Sequence, residues 1–448
     1  MRCMWCFWRW LRLIIIGRQP LLIFVPHPND NISGETNRQC IVIICPHSSY
    51  RLGPYLRAAE NLNIHVLVVS QGEYSLVSEI ASGVHVDFKK QEEAFDEIML
   101  SSSQHEVVAV LGIDDMTVEL AARVSQSLGL GHNDLKASRY TRRKDLAREA
   151  LKDTNVFIPE FKKTALHDLF SCQESPVGFP CVVKPLSLSG SRGVICAHDL
   201  SELKTAAIRI DAILQNEGLT GEERQYILVE QYMSGYEYAF EGMLHKGKLQ
   251  CLALFDKPDL MEGPYFEETY YITPSRLSEI WQRKIEETVS EACKLYGLKE
   301  GPIHAEVRIH ENKICFMEMA SRTIGGQCAQ ILQYATGLSL EEMVIKNAVG
   351  LEVLTERWKY AAGVLMIPTT ERGLLRRVEG ILEASKIQFI EDIEISVSEG
   401  YELLPLPEGF SYLGFIFSKA PTPIEAEQAL RNAYEKLKII TMPILHQS

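Results

Sequence analysis

The segment PCVVKPLSLSGSRGV, residues 180–194, decides the predicted fold. Its apolar strand ends at Lys184, and a loop rich in serine and glycine follows at once. A lysine at the end of an apolar strand is costly unless its charge meets an anion. The loop offers hydroxyl and backbone N–H groups that come close to phosphate oxygens, because glycines carry no side chain. We therefore predict that this loop binds phosphate through Ser189, Gly190, Ser191 and Gly193. The alternative is an ordinary flexible connection.

A second signal is a pair of glutamates, Glu306 in HAEVRI and Glu318 in FMEMASR, on consecutive strands. Two carboxylates on adjacent strands make a site for Mg²⁺, a hard ion that takes oxygen ligands. A two-residue turn at Glu311 and Asn312 would put the pair on opposite faces, whereas a three-residue loop over 311–313 would bring the carboxylates together. We expect the three-residue loop or an equivalent bulge. The alternative is two solvated glutamates.

A third signal is VEQYMSGYEYAFEG, residues 229–242. Glu230 and Gln231 end an apolar strand, and Glu237 begins the next. Polar groups at a strand end can hydrogen-bond to the edge of an adenine, and a carboxylate just beyond can bind ribose hydroxyls. Taken alone, the segment is also compatible with an ordinary hairpin.

The first part of the chain after residue 37 alternates between apolar strands and helices. This alternation predicts a doubly wound parallel sheet with helices on both faces. No G-x-G-x-x-G follows the first strand, so the pattern does not indicate a dinucleotide site. The predicted strands are residues 40–45, 65–69, 84–88 and 106–112.

From about residue 137 the later strands alternate apolar and polar residues, which indicates antiparallel sheet and an α+β body. A last α+β unit starts near Ala362. The predicted helices are a basic one at 138–153, then 201–214, 278–296 and 425–440. The predicted strands are residues 180–186, 226–232, 238–244, 248–255, 302–309 and 313–319, and the pattern over 367–380 indicates strand, turn and strand.

Composition sets the broad class of protein. Of 448 residues, 46% are hydrophobic and 23% are charged, which is typical of a soluble globular protein. A net charge of −13 argues against a protein that coats nucleic acid. The eleven cysteines indicate reduced side chains of a cytoplasmic protein. Arginines interrupt residues 1–37, so we expect a disordered or lightly packed extension there, with a membrane-surface anchor or an upstream start codon as alternatives.

The order of these pieces resembles the ATP-grasp superfamily. The resemblance implies an N-terminal doubly wound α/β domain at 38–136, a two-lobed nucleotide clamp at 137–350 and a C-terminal α+β domain at 351–448. It also implies that Lys144 and Lys184 hold the phosphates of ATP beneath the loop at 187–193. The remaining implied roles are adenine binding by Glu230, Gln231 and Tyr232, ribose binding by Glu237, Mg²⁺ (or Mn²⁺) binding by Glu306 and Glu318, and phosphate contact by Arg322. Many members have asparagine two residues after the second glutamate, where this chain has Ala320, which puts metal ligation at that position in doubt.

Within the superfamily the chain is most similar to the L-amino acid ligases, which make dipeptides. The similarity rests on Glu268 followed by Pro274 and Ser275, on GPIHAE at 301–306, and on EMASRTIGG at 318–326, which also accounts for the alanine. It implies that His304, Glu268 and Arg322 face the amino-acid substrates. For His304 the alternative is an ordinary strand histidine.

The resemblance implies an ATP- and Mg²⁺-dependent ligase that activates a carboxylate as an acyl phosphate and joins it to an amine. The expected partners are ATP and small carboxylate and amine substrates, with amino acids favoured. We expect no nucleic acid and no membrane, and a homodimer is compatible with the resemblance. The alternatives are a biotin-carboxylase-like or purine-pathway ligase and, from another class, a non-catalytic ATP-binding regulatory protein.

Overall fold

The computed structural model describes residues 11–16, 19–24, 39–47, 49–71, 82–353, 359–409 and 412–444, the first two segments as backbone strands only. The chain divides into two units. The first comprises Met1–His132 with Glu341–Val353, and the second comprises Asn133–Leu340 with Leu354–Ser448. In the part of the chain that the structure describes, no helix is long and apolar enough to cross a lipid bilayer.

The first unit contains the predicted parallel sheet. Its strands are β3 (Cys40–Cys45), β4 (His65–Gln71), β5 (Ser82–Val86) and β6 (Val107–Gly112), in the order β5-β4-β3-β6. All three pairings are parallel. Every residue of β3 is buried, as expected for a continuous apolar run in a parallel sheet. The unit also contains β1 (Leu11–Ile16), β2 (Gln19–Phe24), α1 (Leu52–Asn61), α2 (Gln91–Ser102) and α3 (Val118–Ser127).

Apart from residues 11–16 and 19–24, the extension predicted at residues 1–37 lies outside the described residues. Two segments of it, β1 and β2, pair as an antiparallel hairpin. The expectation of a disordered or lightly packed extension at residues 1–37 stays a prediction.

The second unit begins with a four-stranded antiparallel sheet in the order β7-β10-β8-β9. One apolar face of the long helix α7 packs on this sheet, where Leu203 and Ile210 meet Val183 and Val229. The elements are α4 (Leu135–Tyr140), α5 (Lys144–Leu151), β7 (Phe161–Ala165), α6 (Leu166–Ser171), β8 (Cys181–Pro185), β9 (Ile195–Ala197), α7 (Leu200–Asn216), α8 (Gly221–Gln225) and β10 (Tyr226–Gln231).

An eight-stranded antiparallel sheet forms the rest of the body, in the order β15-β14-β11-β12-β13-β16-β20-β18. Because β13 pairs with β16, strands from beyond residue 360 continue the sheet of the clamp. The elements are β11 (Glu237–His245), β12 (Lys248–Asp256), β13 (Tyr270–Thr273), α9 (Glu279–Tyr296), β14 (Gly301–His310), β15 (Lys313–Ala320), α10 (Cys328–Thr336), β16 (Ala361–Ile367), β17 (Gly373–Glu379), α12 (Ile381–Ala384), β18 (Ile390–Ile395), β19 (Glu402–Leu403), β20 (Gly414–Ala420), α13 (Pro423–Tyr434) and β21 (Lys438–Met442). Helix α11 (Leu340–Ala348) belongs, except for its first residue, to the first unit.

Two predicted helices differ from the structure. The basic helix at 138–153 is interrupted, because Arg143 has an extended backbone and its side chain forms ion pairs with Asp145 and Glu222. The helix predicted to end near residue 440 stops at Tyr434, and the β-branched residues beyond it form β21, which pairs with β17. The domain boundaries at 136/137 and 350/351 stay predictions.

Candidate active site

The two predicted metal-binding glutamates lie directly opposite each other on β14 and β15. The connecting turn has two residues, Glu311 and Asn312, both with positive φ, so the predicted three-residue loop is wrong. A register shift after Glu306 supplies the compensation: Val307 pairs with Phe316 while Glu306 pairs with Glu318. One extra residue on β15 thus restores the shared face, and the predicted bulge is confirmed.

The two predicted phosphate lysines contact the other candidate residues. The Lys144 Nζ atom lies 3.2 Å from a Glu318 carboxylate oxygen. It also donates a hydrogen bond of 3.0 Å to the Leu188 carbonyl oxygen in the glycine-rich loop. Lys184 is buried, and its Nζ atom lies 2.5 Å from Glu230. The structure therefore brings both lysines next to carboxylates that the sequence also singled out.

Glu230 forms ion pairs with two buried cationic side chains in this structure. Its carboxylate, 1% exposed, accepts hydrogen bonds from Arg148 Nε at 2.7 Å and from Lys184 Nζ at 2.5 Å. Burial alone would raise the pKa of Glu230, but the charges of Arg148 and Lys184 outweigh it and lower the pKa to about 2. The expectation that Glu230 lines an adenine pocket stays a prediction, and both carboxylate oxygens are engaged by buried cations in this structure.

Replacing Glu230 with glutamine is expected to destabilise the protein by about 3 kcal/mol at pH 7. The folded-state pKa is depressed from 4.5 to about 2, so this stability is present above pH 4.5 and is lost as the pH falls toward 2. Urea unfolding of the wild type and Glu230→Gln between pH 3 and 8 measures the difference. The exposed Glu174→Gln variant serves as the control, and a pH-independent difference would contradict the assignment.

The glycine-rich loop is held at its far end. Gly193 has a φ of +69°, and an added Cβ would lie 2.8 Å from the Pro185 Cγ atom, so only glycine fits there. Its N–H donates a 3.0 Å hydrogen bond to the Pro407 carbonyl oxygen, so this amide is already engaged in the structure. Ser189 and Gly190 are exposed, and Ser191 has a left-handed backbone. The exposed tip is thus the part of the loop available to a phosphate.

Lys257 is the central residue that the sequence reasoning missed. It is 4% exposed, and its Nζ atom lies 2.6 Å from Glu237, 2.6 Å from Glu268 and 2.7 Å from Glu306. Burial lowers the pKa of Lys257, but the three carboxylates outweigh it and raise the pKa well above its usual value. Burial and Glu306 raise the pKa of Glu268 despite the lysine. The position of Lys257 directly after an apolar strand, as for Lys184, was the available signal.

Glu237, predicted to bind ribose, has both carboxylate oxygens engaged. One accepts from Lys257 at 2.6 Å and the other from Arg308 Nε at 2.8 Å. Arg308, also missed by the sequence reasoning, is buried and donates to the Met233 carbonyl oxygen at 2.7 Å. A ribose contact by Glu237 therefore stays a prediction that requires this network to open.

His304 is buried between two carboxylates. Its Nδ1 atom lies 3.4 Å from Glu241, and its Nε2 atom lies 3.8 Å from Glu306. Burial lowers the pKa of His304, but the two carboxylates raise it to about 9. Glu241 also accepts from the Ile324 N–H at 3.2 Å. The histidine is therefore part of the charged cluster, which is compatible with the predicted substrate contact and also with the alternative of an ordinary strand histidine.

Arg322, predicted to contact phosphate, is half-buried, and one of its guanidinium nitrogens donates to the Thr323 carbonyl oxygen at 3.0 Å.

Tyr232, an adenine candidate, lies in an apolar cluster that includes Val182. Its ring stacks on Phe266 with centroids 6.3 Å apart. The exposed Gln231 lies next to it. This cluster provides flat apolar surface suited to an adenine ring.

Two family matches lie within the second unit. Residues 177–331 match the ATP-grasp domain family, and this range contains Lys184, Glu306 and Glu318. The chain therefore contains an ATP-grasp domain. Residues 365–442 match L-amino acid ligase C-terminal domain 2, so this segment is similar to the L-amino acid ligases. The ATP-grasp fold and the enzyme class, an ATP-dependent ligase that forms C–N bonds, are thereby confirmed.

Similar proteins agree with this ATP-grasp assignment. Alanine–anticapsin ligase of Bacillus subtilis is 23% identical over 274 residues, which are 57% of this chain and 57% of that protein. L-amino acid ligase from Bacillus licheniformis superposes with a TM-score of 0.75 at 23% identity, over 91% of this chain and 100% of that one. The biotin carboxylase domain of Hydrogenobacter thermophilus 2-oxoglutarate carboxylase, in complex with MgADP, ADP and bicarbonate, gives a TM-score of 0.64 at 18% identity, over 91% and 92% of the chains.

The donor set of this ATP-grasp domain fits a divalent cation. Glu306 and Glu318 present carboxylates from opposing positions, and 44% of the Glu318 side chain surface is exposed. Mg²⁺ is commonly held by one or two carboxylates, with waters and substrate phosphates as its other ligands. Ala320, on the same strand, offers no side-chain oxygen. The residue types at these two positions therefore fit the ion that an ATP-grasp domain implies.

Proposed function

We propose that this enzyme uses Mg²⁺ and ATP to activate the carboxylate of an amino acid as an acyl phosphate and joins it to the amine of a second amino acid. The observation that carries the proposal is the opposed pair of Glu306 and Glu318, with Lys144 lying 3.2 Å from Glu318. In support, two paired strand positions carry carboxylates, and a lysine lies beside one of them. Such a site suits the triphosphate of a nucleotide with its metal ion.

The first step is phosphoryl transfer. An oxygen of the substrate carboxylate attacks the γ-phosphorus of ATP, and the bond from that phosphorus to the bridging oxygen of ADP breaks. Lys144 and Lys184 neutralise negative charge on the phosphates, and Glu306 and Glu318 would hold Mg²⁺. When bound, the ion supplies a Lewis acid that stabilises charge on the transferred group. Positioning and electrostatic stabilisation supply the catalysis, so no nucleophilic side chain is required.

The second step forms the C–N bond. The free amine of the second substrate attacks the acyl carbon, and inorganic phosphate leaves with one of the original carboxylate oxygens. Glu268, His304 and Arg322 are the residues we assign to contact the amino-acid substrates. In support, Glu268 and His304 border the buried carboxylate cluster around Lys257 and Glu306. The exposed tip of the 187–193 loop is suited to cover the phosphates and limit hydrolysis of the acyl phosphate.

Two competing functions make different predictions. A biotin-carboxylase-like or purine-pathway ligase shares the clamp, but the match of residues 365–442 to the L-amino acid ligase domain favours amino-acid substrates. A non-catalytic ATP-binding protein is favoured only by Ala320. The retention of Lys184, Glu306, Glu318 and Arg322 supports an enzyme.

The test is phosphate release from Mg-ATP by the purified protein across a panel of amino acids, singly and in pairs. We expect release to require a particular pair and to yield a product with their summed mass less one water. Release with bicarbonate alone would support the carboxylase-like alternative. ATP binding without release under every condition would support the regulatory alternative.

A further inference from the structure

A second cluster of metal-ligating side chains lies in the parallel sheet of the first unit. Cys40 is the first residue of β3, His65 is the first residue of β4, and His105 precedes β6 by two residues. The Cys40 sulfur and one ring nitrogen of each histidine all lie within 4.8 Å of one another. None of these residues takes part in the ligase chemistry proposed above. The amino-terminal ends of three strands therefore converge on one sulfur and two imidazoles.

The sheet register fixes this convergence. Cys40 pairs with His65 on one side and with Val107 on the other. Partners in neighbouring parallel strands share a face, and side chains alternate along a strand, so His105, two residues before Val107, is placed on that face. The rings of His65 and His105 confirm the placement, with centroids 5.4 Å apart.

Backbone hydrogen bonds hold each of the three residues in place. The Cys40 N–H donates to the Glu106 carbonyl oxygen at 2.9 Å, and the His65 N–H donates to the Gln39 carbonyl oxygen at 3.0 Å. The His105 N–H donates to the Ser102 carbonyl oxygen at 3.1 Å at the end of α2. Because the backbone is fixed at these strand ends, the three side chains need only rotate to bring their ligand atoms to an ion.

The donor types select the class of ion. A thiolate with two imidazoles suits Zn²⁺ and other borderline or soft transition metals, whereas Mg²⁺ prefers oxygen. In a tetrahedral zinc site the bond lengths place neighbouring ligand atoms about 3.3–3.7 Å apart. Because the observed separations are at most 4.8 Å, the ligands need to close by no more than about 1.5 Å on binding. Cys40 is buried while both histidines are half-buried, which leaves a side open to a fourth ligand such as water.

We propose that Cys40, His65 and His105 form a Zn²⁺-type transition-metal site that links the amino-terminal ends of β3, β4 and β6. The bound ion joins three strands at the end of the sheet where backbone pairing starts. Its role is structural, because metal bound to a folded site and not to the unfolded chain adds to folding stability. The competing interpretation is a buried thiol packed beside two histidines without metal affinity.

The test is titration of the chelator-treated full chain with Co²⁺ alone and then Zn²⁺ alone. We expect one Co²⁺ per chain with a thiolate-to-cobalt charge-transfer band, displaced by Zn²⁺, and the band should vanish in Cys40→Ser. The half-buried His105→Gln should weaken Zn²⁺ binding by more than ~100-fold, beyond the 10–100-fold typical of losing a supporting partner. Circular dichroism of both variants checks folding.

Matched controls separate this site from the other cysteines. Cys45→Ser changes the opposite end of the same strand, and the Cys3→Ser/Cys6→Ser double variant removes the one C-x-x-C sequence near the N-terminus. Both should keep the band and the Zn²⁺ affinity. The proposal would be overturned if the wild type lacks the band or if Cys40→Ser keeps it. It would also be overturned if Cys3→Ser/Cys6→Ser loses the band or if His105→Gln binds Zn²⁺ with unchanged affinity.

Discussion

Replacing Glu318 with glutamine is expected to reduce amino-acid-dependent phosphate release by at least about 10²–10³-fold, the typical cost of removing one preorganised stabiliser of transition-state charge. The carboxylate lies opposite Glu306 and 3.2 Å from Lys144, so the change removes one of two proposed metal ligands and a partner of a phosphate lysine. The half-exposed position should tolerate the isosteric amide without unfolding. Steady-state rates at several Mg²⁺ concentrations measure the effect.

The matched control is Glu311→Gln, in the turn of the same hairpin. Glu311 is exposed and lies outside the paired positions of β14 and β15. We expect its activity to stay within about twofold of the wild type, since surface changes usually alter free energies by less than about 0.5 kcal/mol. The metal-binding role proposed for Glu318 would be contradicted if the two variants lost equal activity or if Glu318→Gln kept full activity.

Replacing Lys257 with methionine is expected to destabilise the protein by about 3–5 kcal/mol at pH 7, the typical cost of breaking a buried ion pair from one side. Three carboxylates, those of Glu237, Glu268 and Glu306, lie within 2.7 Å of the ammonium group and would lose the cation that they share. Methionine keeps the length of the side chain and removes its charge. Urea unfolding followed by circular dichroism measures the change.

The pH dependence of this loss distinguishes charge from packing. Without the lysine, burial raises the folded-state pKa of the carboxylates, so their protonation stabilises the fold at low pH and that stability is lost as the pH rises. The penalty of Lys257→Met should therefore shrink from pH 7 toward pH 4.5. The exposed Lys248→Met, at the start of the strand that Lys257 follows, is the control. A penalty equal at both pH values would indicate packing alone.

The local pattern of apolar and polar residues predicted most of the fold. Continuous apolar runs gave the parallel strands of the first unit, and alternation gave the antiparallel strands of the second. The pattern failed where distant residues decide the backbone, as at Arg143, whose ion pairs with Asp145 and Glu222 interrupt the basic helix. It also failed at β21, because pairing with a strand some 60 residues earlier overrides helical propensity.

The candidate site was predicted in part for the same reason. Lys184, Glu306 and Glu318 stand out by their positions at or near strand ends. In the structure Lys184 pairs with Glu230, and Glu318 lies opposite Glu306 and beside Lys144. The predicted length of the turn between β14 and β15 was wrong, because residue types alone do not show where a bulge lies. Lys257 was missed because its three partners are separated from it by 11 to 49 residues in the chain, and only the folded sheet brings them together.

The central claim, activation of a carboxylate as an acyl phosphate, is tested most directly by isotope transfer. An amino acid labelled with ¹⁸O in its carboxylate is incubated with the enzyme, Mg-ATP and the amine substrate, and the released phosphate is analysed by mass spectrometry. The account predicts one ¹⁸O atom in each phosphate formed together with product. Unlabelled phosphate accompanied by product, or label found in AMP instead, would contradict it.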